Sequence, residues 1–185
     1  MTRFIGEQAS KACSPIFFKG DSLPHQPDTT AMKRYLPHLI FVLIAFTIGY
    51  ISKNVQEVSM IEWYHTLNKS SLTPPGYVFA IVWSVLYLFM GISAGILWNV
   101  RSIYTWLVLL LFFIQLALNL MWSIGFFYMQ SPIAGIVILS MLIVAVAAYT
   151  VMAYLMKKSA GVLNIPYILW LLFALYLNAY VALNN

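Results

Sequence analysis

Trp83 and Tyr87 stand four residues apart in an uncharged run, and what they offer is recognition of a flat apolar guest rather than bond making. Residues three or four apart share a helix face, so an indole and a phenol lie side by side. A second stripe is Gln115, Asn119, Trp122 and Ser123, extended one turn by Phe126, and a third sets Trp170, Ala174 and Asn178 at intervals of four. A small residue beside a large ring leaves room for a flat molecule. Amides in hydrocarbon must find hydrogen-bond partners, which turns Gln115 and Asn119 inward. Helix packing competes with this reading, because buried Trp, Tyr and Asn commonly serve it in membranes.

Other chemistry lacks actors. The apolar segments hold no Asp, Glu, Lys or Arg, and His38 has no acidic or nucleophilic neighbour in sequence, so acid–base catalysis and proton relay are not supported. Cys13 is alone and His25, His38 and His65 lack ligand spacing, so we assign no metal and no cofactor. The formal charge of +5 comes from loops and tail, where it bears on orientation, and gives no nucleic-acid role.

The elements that must carry these stripes are membrane helices. Of 185 residues 62% are hydrophobic and 8% charged, where a soluble domain has about a quarter charged. Five apolar segments, at about 35–51, 75–98, 104–128, 132–156 and 162–183, are each long enough to cross a bilayer or nearly so. Thr73 is placed to cap the second, with Pro74 and Pro75 in its first turn. Short connections make successive helices antiparallel neighbours, so the expected fold is an all-α membrane protein, a five-transmembrane-helix bundle occupying residues 32–185. One longer loop, 52–74, is expected above it. Gly91 and Gly95 allow close helix approach within or between chains, and Trp98 and Trp106 read as an interfacial belt. Residues 1–31 are rich in charge and Pro and read as a disordered tail, with Met32 as an alternative start. Their acidic residues argue against a targeting segment.

Lys33, Arg34, Arg101, Lys157 and Lys158 fall on one side of the bundle and Lys53 and Lys69 on the other. This bias favours a cytoplasmic N-terminus in a bacterial cell membrane. A mitochondrial or bacterial outer membrane is the alternative location.

Several motifs in order resemble the TspO/MBR family of tryptophan-rich sensory proteins. They are Trp63-Tyr64 with Leu67, Lys69 and Ser71; Pro74-Pro75 with Val78-Phe79 and Val82-Trp83; Leu86-Tyr87 and Met90-Gly91; Gln115-Leu116, Leu118-Asn119, Trp122-Ser123 and Phe126-Phe127; and Pro166-Tyr167, Trp170, Phe173-Ala174 and Leu177-Asn178. The resemblance implies five membrane helices, often a homodimer, and a cavity under the long loop for porphyrins, cholesterol-like lipids and benzodiazepine-type drugs. Trp83 and Trp170 match cavity tryptophans linked to porphyrin binding and light-dependent breakdown. Trp122 and Ala174 match drug-contacting positions, and Tyr64, Tyr87, Asn119, Ser123 and Phe126 carry over to the same cavity. Two alternatives follow, a porphyrin-degrading activity using Trp83 and Trp170, and a membrane scaffold with an incidental cavity. The pattern departs at Ser70, where the loop usually has Pro, at Leu72, where Trp is frequent, and at Ala80, where Gly is common. No basic residue follows Tyr180, which removes the family's sterol motif there. Val151, Tyr154 and Lys157 fit a looser spacing for cholesterol contact.

Overall fold

Proline, glycine and the run of charge decide where the chain leaves the membrane. The computed structural model describes residues 29–185, so most of the expected tail at 1–31 lies outside the described residues. The helices are α1 (Thr29–Glu62), α2 (Gly76–Val100), α3 (Thr105–Ser123), α4 (Pro132–Met156), α5 (Lys158–Val162) and α6 (Ile165–Asn184). A π-helical turn, Ile124–Tyr128, continues α3. Among the described residues, five stretches are long and apolar enough to cross a membrane, the last formed by α5 and α6 together.

Two boundaries differ from the sequence expectation. Helix α1 continues past residue 51 to Glu62, because the polar residues beyond Ile51 include neither Pro nor Gly and so lower hydropathy without breaking the helix. Their pattern is amphipathic: Ser52 and Ser59 are buried while Lys53, Asn54, Glu57 and Val58 are exposed. The long loop therefore shrinks to residues 63–75. Helix α2 starts at Gly76, with Pro75 as its cap in extended backbone (φ −58°, ψ 150°) and no side-chain cap from Thr73. A residue before proline is pushed out of the α region, which keeps Pro74 from opening the helix.

Gly91 and Gly95 are spent inside the chain. A Cβ at either would strike the α1 backbone, at Val42 and at His38 respectively. Helix α1 thus packs on α2 and also on α3, α3 packs on α4, and α4 on α6. Ring contacts Phe79–Trp170 (5.4 Å) and Trp83–Tyr167 (6.1 Å) bring α2 against α6 and close the circle. At the basic end Ser93 ties three elements. It bonds to Tyr149 of α4 (3.0 Å) and the Ala160 carbonyl of α5 (2.9 Å), and accepts from Asn164 (2.9 Å). Trp98 and Trp106 lie exposed at that end.

The candidate cavity under the loop

The opposite end is looser and aromatic. Between α1 and α2, beyond their contacts at Gly91 and Gly95, lies a cavity of about 540 Å³ walled by α1, α2 and α3. A recess of about 120 Å³ continues it toward α6, floored by Ala174, Leu177, Asn178 and Val181. The two compartments share Gln56, Met60, Gly76, Phe79, Trp83 and Trp122.

The π-turn explains how one short stretch supplies so much of the wall. An α-helix spreads consecutive residues by 100° and turns some of them outward, whereas the widened turn keeps Gly125, Phe126 and Phe127 buried together directly after Trp122 and Ser123 of α3. Trp83 and Trp122 face each other at 6.4 Å with planes 29° apart, and Trp122 and Phe126 at 5.9 Å with planes 17° apart. Phe127 crosses Phe126 edge-on at 4.8 Å.

Polar groups are sparse and mostly engaged. The Tyr87 hydroxyl donates to Asn119 Oδ1 (2.9 Å), and Asn119 Nδ2 donates to the Tyr167 hydroxyl (3.2 Å). Gln56 Nε2 donates to Ser123 Oγ (2.8 Å), pinning α1 to α3. The Asn178 amide donates to the Pro132 carbonyl (3.2 Å) and accepts from the Ile136 N–H (3.1 Å). The indole N–H groups of Trp122 and Trp170 are buried without a partner, as are both amide atoms of Gln115.

Loop 63–75 covers this end. Trp63 and Tyr64 pack edge-on against Phe126 at 5.5 and 6.3 Å. Ser70 is buried and shares a hydrogen bond with Tyr176 of α6 (3.1 Å), while Asn185 clamps both the N–H and the carbonyl of Asn68. Lys69 donates to the Tyr64 carbonyl (3.1 Å) and lies 4.7 Å over its ring. Burial raises the pKa of the Tyr64 phenol, so it remains a neutral donor.

Of the residues singled out from the sequence, Tyr64, Trp83, Trp122, Phe126 and Ala174 line the recess, and Trp83, Tyr87, Asn119 and Trp122 line the larger cavity. Ser123 stands behind the wall and acts through Gln56. Trp170 is not a lining residue; its ring packs edge-on against Phe79, which is. Gln115 is fully buried elsewhere on the α3 face. The residues missed are the α1 contributors beyond residue 51, among them Lys53, Gln56, Glu57 and Met60, since that stretch reads as loop by hydropathy. Their spacing of three and four, 53, 56, 57 and 60, is the signal that could have found them.

Among the described residues, five apolar membrane-length stretches with an aromatic cavity between α1, α2 and α3 and a recess toward α6 define an integral multi-pass membrane protein with an interior large enough for a small molecule. The chain belongs to the TspO/MBR family, whose model matches residues 40–183. It is 37% identical over 144 residues to the tryptophan-rich protein TspO of Archaeoglobus fulgidus, covering 78% of this chain and 94% of that one. Against the protein of the same name from Chlorobaculum tepidum it is 33% identical over 150 residues, 79% of this chain and 94% of the other. The human translocator protein is 30% identical over 154 residues, 82% of this chain and 91% of its own length.

Proposed function

We propose that this chain binds porphyrins and related tetrapyrroles, and other flat hydrophobic molecules of sterol or benzodiazepine type, in the cavity under loop 63–75. Its role is then the sensing or movement of such molecules, or regulation by them. The observation that carries this reading is the ladder of near-parallel rings Trp83, Trp122 and Phe126 beside an apolar cavity of about 540 Å³. Planar rings at that spacing favour a flat guest, and the volume falls within the usual range for small-molecule sites. Relatives include a tryptophan-rich sensory protein from Cereibacter sphaeroides, which is consistent with the sensing half of the proposal. We place the protein in a bacterial cell membrane with its N-terminus cytoplasmic, from the bias of Lys33, Arg34, Arg101, Lys157 and Lys158 over Lys53 and Lys69, and as a homodimer by family analogy.

The test is a dark titration of the detergent-solubilised protein with protoporphyrin, following tryptophan fluorescence in the parent and in Trp83→Phe and Trp170→Phe. Saturable quenching that weakens in Trp83→Phe supports the reading. Non-saturating quenching, equal in all three proteins, means partition into detergent and sinks it.

A further inference from the structure

The cleft between α1 and α2 carries a cation that, among the described residues, forms no ion pair. Lys53 and Glu57 line it one turn apart on α1, beside Phe46, Tyr50, Trp83 and Tyr87. Among the described residues no carboxylate comes within 4.0 Å of the Lys53 ammonium, Glu57 included. Lys69, the other lysine at this end, is already engaged with the Tyr64 carbonyl and ring. Lys53 lies about 31 Å along α1 from Met32, at the far edge of a ~30 Å hydrocarbon layer. A lysine at that depth keeps its ammonium near the interface while its stem runs along apolar surface. Snorkelling alone, however, would leave the affinity of a cavity ligand unchanged when the lysine is removed.

We infer that Lys53 receives the acid group of the ring ligand, so that the cavity selects acidic macrocycles over their neutral esters. The inference rests on the tetrapyrrole reading above. The apolar body lies against Trp83 and Tyr87, and the carboxylate reaches the cleft mouth, where its pairing with an ammonium is worth more than in open water. Glu57 marks the same place with the opposite sign, since it repels the carboxylate that Lys53 attracts. Opposite effects from two residues one turn apart distinguish charge recognition from a loss of local structure.

The experiment is a pair of dark titrations in non-ionic detergent, where no lipid phosphate competes, using protoporphyrin with its two propionic acids and its uncharged dimethyl ester. Lys53→Met is expected to weaken the diacid by about three- to tenfold and to leave the ester within about twofold. Glu57→Gln is expected to tighten the diacid by about two- to threefold, and Lys53→Arg to retain it. Saturable binding with equal diacid affinity in parent and Lys53→Met overturns the inference while the tetrapyrrole reading stands. An equal loss for diacid and ester in Lys53→Met also overturns it, because the lysine then acts on structure. Non-saturating quenching by both porphyrins in every protein removes the tetrapyrrole reading and this inference together.

Discussion

The Tyr87 hydroxyl donates to Asn119 Oδ1 over 2.9 Å inside the bundle, and so fastens α2 to α3 directly beside the cavity. Asn119 passes the connection on to Tyr167 of α6 through its other amide atom. One amide therefore holds three helices. Replacing Tyr87 by Phe leaves Asn119 Oδ1 buried without its donor and should destabilise the fold by about 1 to 2 kcal/mol. Thermal unfolding in detergent reads this. In Tyr87→Phe/Asn119→Leu the loss should fall short of the sum of the singles, because the stranded acceptor is gone. Strict additivity would show that the bond contributes nothing.

Trp83 and Trp170 should behave differently, although the family pattern treats them alike. Trp83 lines both compartments, whereas Trp170 lines neither and packs on Phe79, which lines both. Truncating a stacked anchor costs about 1 to 3 kcal/mol, roughly a 5- to 150-fold weaker ligand. Trp83→Ala should show that loss. Trp170→Ala should weaken binding by less, on the order of twofold, through relaxation of Phe79. Equal losses measured by titration would mean that Trp170 itself touches the ligand.

Gly91 and Gly95 make a separate prediction about where close approach is needed. A Cβ at Gly91 would strike the Val42 backbone, which neither a rotamer change nor a small shift relieves. Gly91→Ala should lower stability by about 1 to 3 kcal/mol, as overpacking does, with the size-exclusion profile otherwise unchanged. A substitution that altered the oligomeric state and left the melting temperature alone would place this face between chains instead.

The loop over the cavity is held by hydrogen bonds in place of a proline. Ser70 is buried against Tyr176, and its Oγ also accepts from the Leu72 N–H (3.2 Å). Ser70→Ala or Tyr176→Phe should raise hydrogen exchange across residues 66–75 by about fivefold, the equivalent of a bond worth ~1 kcal/mol. Exchange unchanged in both variants would mean that the Asn185–Asn68 clamp alone sets the loop's stability.

Much of this architecture was legible because hydrocarbon leaves the backbone little choice. Once charge disappears over a long apolar run, a helix follows, and Gln115 and Asn119 must turn inward. The stripe Asn119, Trp122, Ser123 and Phe126 is accordingly buried together. Hydropathy failed where the chain is helical but wet. Residues 52–62 form the last turns of α1 and supply Lys53, Gln56, Glu57 and Met60 to the cavity. The π-turn was equally silent in sequence, since the widened hydrogen bonding that brings Phe127 inward beside Phe126 depends on packing around Gly125 and not on a residue signature. Trp170, singled out by motif, lines neither of the two compartments and packs edge-on against Phe79, which lines both.

Filling the cavity tests the central claim most directly. Ala174 is buried and lines the recess, and Ala80 lines the larger cavity, so Ala174→Phe combined with Ala80→Phe places a ring in each compartment where the guest is held to sit. Saturable protoporphyrin quenching should fall by at least about tenfold in affinity, or vanish, while the melting temperature of the ligand-free protein stays within a few degrees of the parent. Undiminished saturable binding in a folded Ala174→Phe/Ala80→Phe protein would contradict the account, and the ligand would then belong on the lipid-facing surface.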